Sequence, residues 1–340
     1  MYKQTLKAIM ALLFSGSATI GLAGNDTMLL HSGWKFRQAG HSEWHPATVP
    51  GVVHTDLMDN GLIEDPYYRL NERSLQWIDK EDWIYEVSFD AGALTRGYEH
   101  IRLEFLGLDT YADVFLNETQ ILTADNMFRR WAAEVKPLLK ERGNVLRIYF
   151  HSPIKKALPQ YESLPYRYEA WNDQADNGGL AGKKLSPFTR KAGYHYGWDW
   201  GPRLVTSGIW RPGKLQGWNS LRLEDVFHHQ HEVSQETARV ETQVEIEAAA
   251  PVENAVITVS DGKRVLGSRS VQLHVGMNRV SVPFTIDNPK LWWCRGMGES
   301  DLYTFRTAVE QGGRVLAEHS TQVGESPEFF YYLFLGIRVF

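Results

Sequence analysis

The chain has 340 residues, of which 43% are hydrophobic and 23% are charged, and this composition excludes a disordered tail. Lys and Arg total 36 against 41 for Asp and Glu, which gives a net charge of −5, and no basic block is present to bind nucleic acid. The single cysteine, Cys294, excludes intramolecular disulfides, Cys-rich zinc sites and iron–sulfur clusters. The 12 Trp, 15 Tyr and 15 Phe favour an all-β protein with rings that bind sugars.

Residues 1–23 have the features of a secretory signal peptide. Lys3 and Lys7 precede an apolar run over residues 8–14, and Gly21-Leu22-Ala23 follows the small-x-small pattern of a cleavage site. The apolar run is shorter than the ~20 residues of a membrane-spanning helix. We therefore expect an exported chain, periplasmic or secreted, that begins near Gly24 and has no membrane contact after the signal is removed.

Hydrophobic residues alternate with period two along most of residues 24–217, which predicts β-strands. The alternation is clearest over four segments, at residues 83–89, 100–105, 112–116 and 145–150. Asn117-Glu118-Thr119 predicts a hairpin turn after the third segment. Residues 153–187 show no sustained period and predict a long loop, which in a small domain is usually functional.

A second set of strands is predicted after Pro212-Gly213. It begins at residues 221–227 and continues through five further segments, at residues 238–247, 255–260, 271–273, 279–283 and 303–310. Turn sequences such as Asp261-Gly262 separate these segments at spacings typical of a β-sandwich. The segment 219–324 is therefore predicted to be an immunoglobulin-like β-sandwich.

Ordered motifs along the chain carry a resemblance to a known family. The first domain contains Val49-Pro50-Gly51-Val52-Val53-His54-Thr55-Asp56-Leu57, then Asp82-Trp83-Ile84-Tyr85, then the stretch 105–117. The most specific motif spans residues 190–204 and contains Trp198-Asp199-Trp200-Gly201-Pro202. With Pro289-Lys290-Leu291-Trp292-Trp293 near the end of the second domain, these motifs resemble the amino-terminal part of the β-mannosidases of glycoside hydrolase family 2.

The resemblance implies an all-β fold class and a particular domain order. Residues 24–217 would form a jelly-roll-like sandwich of the galactose-binding-domain type, followed by the immunoglobulin-like sandwich over 219–324. The family continues into a catalytic (β/α)8 barrel of ~250 residues, whereas residues 325–340 offer only 16 positions. We expect this chain to lack the barrel and both catalytic Glu residues, so that it contains no catalytic residue of its own.

The tail over residues 325–340 is unusual for such a protein. It contains the apolar run 329–335 without alternation, which indicates an aberrant or truncated end, caused by a shifted reading frame or a broken gene. A genuine buried strand of a shorter protein is the alternative. Two Asn-Glu pairs, Asn71-Glu72 and Asn117-Glu118, match the family's acid/base pattern, but they lie in the β-domain and are interpreted as loop residues.

The function implied by the resemblance is that of a β-mannosidase, the retaining hydrolysis of terminal β-D-mannose. In the family the Trp198-Asp199-Trp200 loop would close the pocket of the non-reducing mannose, with Asp199 accepting hydrogen bonds from two hydroxyls and Trp198 and Trp200 stacking on the sugar. The alternative is that all three residues pack against the protein and Asp199 pairs with Arg203.

The predicted partners are a β-mannoside oligosaccharide and, within the full-length form, the catalytic barrel. No cofactor and no metal site are expected, because His228, His229 and His231 lack a further ligand and are interpreted as an exposed hairpin. A non-catalytic carbohydrate-binding or interaction protein is the alternative function.

Overall fold

The structure is a computed structural model that describes residues 25–326. The chain divides into two units, the first over Thr27–Gly217 and the second from Trp218 onward, and each has its own hydrophobic core. The predicted signal peptide and residues 327–340 of the predicted aberrant tail lie outside the described residues. Residues 25–326 form no (β/α)8 barrel, and none of their helices has the length and hydrophobicity needed to cross a bilayer.

The first unit contains two sheets, with strand orders β3-β2-β4-β9-β6-β7 and β1-β10-β5-β8. The core between them includes Phe36 and Phe150 from the six-stranded sheet and Leu103 from the four-stranded sheet, all fully or almost fully buried. This arrangement confirms the predicted β-sandwich. The strands are β1 (Asn25–Leu29), β2 (Lys35–Gln38), β3 (His45–Pro46), β4 (Trp83–Phe89), β5 (His100–Phe105), β6 (Tyr111–Leu116), β7 (Thr119–Ala124), β8 (Trp131–Glu134), β9 (Asn144–His151) and β10 (Gly213–Trp218).

Four α-helices connect these strands, and one of them corrects the sequence analysis. They are α1 (Val53–Asp59), α2 (Asn71–Ser74), α3 (Gly92–Gly97) and α4 (Pro153–Ser163). Residues 153–187 were expected to be a loop throughout, yet they begin with α4. Ser152 caps this helix by accepting a hydrogen bond from the Lys155 backbone N–H at 3.0 Å, and Pro153 occupies its first position. The internal Pro159 conceals the helical period of Ile154, Ala157 and Tyr161, which pack in a small separate core.

The second unit is the predicted immunoglobulin-like sandwich. A three-stranded sheet β11-β12-β15 and a four-stranded sheet β14-β13-β16-β17 enclose a core that includes Val240, Ile257 and Phe305. The last strand was not predicted, because its apolar side chains are few and partly exposed. The strands are β11 (Leu221–Val233), β12 (Thr237–Ala248), β13 (Val252–Asp261), β14 (Arg264–Leu273), β15 (Gly276–Asp287), β16 (Tyr303–Gln311) and β17 (Arg314–Val323).

The three clustered histidines lie in β11, the first strand of the β11–β12 hairpin, as expected, but only two of the three are exposed. Alternation along the strand buries His228, whose Nδ1 lies 2.8 Å from Thr242 Oγ1, and exposes His229 and His231 on the opposite face. Burial lowers the pKa of His228 to about 4, so this ring is neutral at neutral pH. Among residues 25–326, no three His, Cys, Asp or Glu side chains are grouped as metal ligands.

Candidate functional site

The three predicted sugar-binding residues lie together in one exposed turn of the first unit. Two backbone hydrogen bonds between Trp198 and Gly201, of 3.2 and 3.4 Å, close the turn. The Trp200 side chain is 81% exposed, Trp198 is 36% exposed, and Asp199 is exposed as well. None of the three side chains belongs to a hydrophobic core of the described residues.

Gln174 holds this turn in place, and the sequence analysis did not identify it. Its backbone N–H donates to the Tyr196 carbonyl at 2.9 Å, and its side-chain Nε2 donates to the Trp198 carbonyl. Asn177 Nδ2 in turn donates to Gln174 Oε1 at 2.9 Å. Gly197 adopts a positive φ of 102°, and a Cβ there would lie 2.6 Å from the Gln174 side chain, so glycine is required on both grounds.

Arg203 does not pair with Asp199, so the alternative interpretation of Asp199 is wrong. The buried Arg203 Nη1 donates to Asp79 Oδ2 at 2.6 Å and to Gln76 Oε1 at 2.5 Å, and Gln76 Nε2 donates to the Arg203 carbonyl at 2.8 Å. The guanidinium packs against Gly178, where a Cβ would lie 2.5 Å from its central carbon. This buried ion pair fixes the chain on the carboxyl-terminal side of the turn and leaves Asp199 unpaired with Arg203.

A second buried ion pair fixes the chain on the other side. Lys191 Nζ donates to both carboxylate oxygens of Asp109, and both side chains are fully buried. Thr206 Oγ1 donates to Asp109 Oδ2 at 2.6 Å and lies 2.8 Å from His195 Nδ1. The Trp198–Gly201 turn therefore lies between two residues, Lys191 and Arg203, that each form a buried ion pair. These ion pairs anchor the chain on both sides of the turn.

Charge and burial also set the protonation of the groups beneath the turn. Burial is the largest single effect on the Asp109 carboxyl and raises its pKa. The Lys191 ammonium, together with the other charge and hydrogen-bond partners of the carboxylate, outweighs burial, so that the net pKa lies below its ordinary value. Burial, with Lys191 as a further cause, lowers the pKa of His195 to about 4 and that of His54 to about 3. Both imidazoles are neutral at neutral pH, so they add no positive charge to the buried cluster.

The two Asn-Glu pairs have structural roles. Asn117 and Glu118 form the β6–β7 turn with positive φ angles of 49° and 71°. Asn117 Oδ1 accepts a hydrogen bond from the Val145 N–H at 3.0 Å, and its Nδ2 donates to the Leu138 carbonyl at 2.8 Å. Asn71-Glu72 begins the one-turn helix α2 rather than lying in a loop. Asn71 Nδ2 also donates to the Asp65 carbonyl at 2.9 Å, so the asparagine of each pair has a structural contact.

Comparison with known proteins places both units in one family. The glycosyl hydrolase 2 galactose-binding domain-like family matches residues 34–211, and glycosyl hydrolases family 2 matches residues 221–324. The chain is 35% identical over 300 residues to Beta-mannosidase B of Thermothelomyces thermophilus, an alignment that covers 87% of this chain and 34% of that protein. Beta-mannosidase B of Emericella nidulans is 32% identical, with a similar coverage.

Solved structures match a similar share of this chain. Beta-D-mannosidase from Dictyoglomus thermophilum is 37% identical with a TM-score of 0.76, and the match covers 88% of this chain and 36% of that chain. The exo-chitosanase CsxA of Amycolatopsis orientalis shares the fold, with a TM-score of 0.65 at 17% identity. The chain thus spans about a third of the length of the relatives it matches.

Proposed function

Because this chain belongs to glycosyl hydrolase family 2, we propose that it is the amino-terminal part of a β-mannosidase, which hydrolyses terminal non-reducing β-D-mannose with retention. The observation that carries this proposal is the exposed Trp198-Asp199-Trp200 turn, in a chain 35% and 37% identical to two proteins named as β-mannosidases. The substrate would be a β-mannoside oligosaccharide.

The chemistry of the turn suits binding rather than bond cleavage. The Asp199 carboxylate can accept hydrogen bonds from two neighbouring sugar hydroxyls, and charge-assisted hydrogen bonds are stronger than neutral ones. The exposed rings of Trp198 and Trp200 can stack on the apolar face of a pyranose. Because the two buried ion pairs and Gln174 anchor the turn, less conformational entropy is lost on sugar binding than for an unanchored loop.

Cleavage with retention requires two further groups. A retaining glycosidase uses two carboxyl groups ~5–5.5 Å apart, one as acid/base and one as nucleophile. We propose that a (β/α)8 barrel of the full-length enzyme supplies both and meets the Trp198-Asp199-Trp200 turn as an intramolecular partner. We further propose that residues 1–23 direct export to the periplasm or the medium.

A chimeric enzyme tests the proposed function. Residues 27–324 would replace the matching segment of the Dictyoglomus β-mannosidase, and kcat/KM would be measured with an aryl β-mannoside. We expect activity in the chimera and none above background in the isolated 340-residue chain. Asp199→Ala should lower kcat/KM of the chimera about 10–150-fold, since a lost hydrogen bond to a charged group costs about 1.5–3 kcal/mol. Asp199→Asn keeps one acceptor and should lose less.

Asp59→Ala is the matched control, because Asp59 is an exposed carboxylate on α1 of the same unit. It should leave kcat/KM unchanged. A folded chimera that hydrolyses aryl β-mannosides equally well with Asp199 or Ala at position 199 would contradict the assigned role of the turn. A folded chimera that prefers β-glucosides or β-galactosides would contradict the proposed substrate.

A further inference from the structure

A groove of the first unit lies between the end of α4 and the segment Pro187–Arg190. Its volume is about 560 Å³, within the range of about 300–1,000 Å³ typical of small-molecule sites. Its lining includes Gln160 of α4, Tyr168 of the connection that follows, and Phe188 and Arg190 of the second segment. The groove shares no residue with the Trp198-Asp199-Trp200 turn.

The groove has one exposed aromatic wall of fixed orientation. The Tyr168 side chain is 49% exposed, and its ring is held edge-on by Tyr166 at 5.4 Å and by Phe188 at 5.7 Å between ring centroids. Phe188 is held in turn by Tyr161 at 5.9 Å. An exposed ring that is already held by its neighbours can stack on the C–H face of a pyranose without losing rotamer freedom.

The segment Phe188–Arg190 that lines the groove is anchored to the rest of the first unit. The Phe188 carbonyl accepts a hydrogen bond from Tyr111 Oη at 3.0 Å, and Thr189 Oγ1 accepts one from Tyr196 Oη at 2.9 Å. The Arg190 carbonyl accepts a hydrogen bond from the Met127 N–H at 3.0 Å. The backbone of this segment is therefore preformed rather than assembled around a ligand.

Two polar side chains can bind hydroxyl groups at this groove. The Arg190 side chain is 70% exposed, and its ion pair with Asp125, at 3.8 Å, is long and exposed and therefore weak. Its N–H groups are thus accessible as donors. The Gln160 amide offers two donors and one acceptor. Arg190 is the one charged residue among the described residues that line the groove.

We propose that this groove is a second carbohydrate-binding site, which holds one pyranose of an oligosaccharide by stacking on Tyr168 and by hydrogen bonds from Arg190 and Gln160. Such a site would keep a polymeric or branched substrate near the enzyme at a point separate from the sugar that is cleaved. The choice of a manno-oligosaccharide as the ligand rests on the proposed function. The geometry of the groove is independent of that proposal.

Calorimetric titration of the 340-residue chain with β-1,4-mannotriose tests the site. Tyr168→Ala should weaken binding about three- to tenfold, because a favourable aromatic contact contributes about 0.5–1.5 kcal/mol. Arg190→Ala should weaken binding about tenfold or more, since hydrogen bonds to charged groups contribute about 1.5–3 kcal/mol. Tyr168→Phe keeps the ring and should bind within about twofold of the wild type.

Two controls separate this site from the turn. Tyr67→Ala removes a ring that is 75% exposed and lies outside the groove, and Trp200→Ala removes a ring of the turn. Tyr67→Ala should bind like the wild type, whereas Trp200→Ala should remove only binding at the turn and leave the binding that depends on Tyr168 in place. The absence of binding in the correctly folded wild-type chain would overturn the groove site. Binding that is lost in Trp200→Ala and unchanged in Tyr168→Ala would also overturn it, while supporting the function proposed for the turn.

Discussion

At the scale of single residues, two aspartates of the first unit have opposite environments. Asp79 is buried and paired with Arg203 at 2.6 Å, whereas Asp199, four residues before Arg203 in the sequence, is exposed. Burial raises the pKa of Asp79 even though Arg203 lowers it, because the carboxylate has lost its hydration. Asp79 therefore has a structural role, whereas the Asp199 carboxylate stays exposed to solvent.

Asp79→Ala and Asp199→Ala form a matched pair for measuring stability. Asp79→Ala leaves the Arg203 guanidinium buried without its counter-ion and should lower the free energy of unfolding of the first unit by about 3–5 kcal/mol. Asp199→Ala should change it by less than about 0.5 kcal/mol. Urea unfolding of both variants measures the difference. Equal losses in the two variants would show that Asp199 also has a structural role.

At the scale of elements, the turn depends on a segment far away in sequence. Gln174 lies in the long connection that follows α4, and it donates to the Trp198 carbonyl. The segment near Gln174 and the segment near Trp198 are thus joined by a side-chain-to-backbone hydrogen bond. Such a contact costs little to break and therefore controls local opening more than global stability.

Gln174→Ala should increase the opening of the turn without unfolding the unit. A hydrogen bond with a net contribution of about 0.5–1.5 kcal/mol corresponds to about 2–13-fold faster amide exchange over residues 198–201. Hydrogen exchange with mass spectrometry of peptides across this turn measures the change. Gln120→Ala is the matched control, because Gln120 makes side-chain hydrogen bonds in the β6–β7 hairpin. An identical exchange rate in the wild type and Gln174→Ala would refute the role assigned to Gln174.

At the scale of the whole molecule, a buried acid makes the second unit sensitive to pH. The Glu325 side chain is fully buried, and neither carboxyl oxygen has a hydrogen-bond partner among residues 25–326. Its backbone carbonyl accepts a hydrogen bond from the Trp292 N–H at 2.8 Å, which keeps the residue in place. Burial raises its pKa from 4.5 to about 7.

The sign of the pH effect follows from linkage. Because the folded-state pKa lies above the unfolded-state value, the contribution of Glu325 to stability is complete below pH 4.5 and is lost as the pH rises through 7. The loss amounts to roughly 3 kcal/mol. Glu325→Gln should therefore stabilise the second unit at pH 8 by up to this amount and leave it unchanged at pH 4. Calorimetry at both pH values measures the difference, with the exposed Glu299→Gln as a control. A constant difference between the two pH values would show that Glu325 does not titrate in this range.

The sequence by itself determined the all-β fold class and singled out the Trp198-Asp199-Trp200 motif. The predicted bounds of β4 and β5 match the observed strands residue for residue. Residues 83–87 of β4 are nevertheless buried on both faces of the strand. The motif around Asp199 is contiguous, so its three residues stay close together in any fold. The strand β17 and the helix α4 were missed, since their apolar patterns are weak or interrupted by a proline.

Only the tertiary structure decided which residues support the turn. Asp79 and Gln76 lie more than 120 positions from Arg203, and Asp109 lies 82 positions from Lys191. No hydrophobic period or fixed spacing in the sequence links polar residues at such separations. Their pairing depends on how the sheets and long connections pack. The sequence offers Arg203 only as an alternative partner for its neighbour Asp199, whereas the fold pairs Arg203 with Asp79. Burial of a charge requires a buried counter-charge, and only packing determines which groups are buried together.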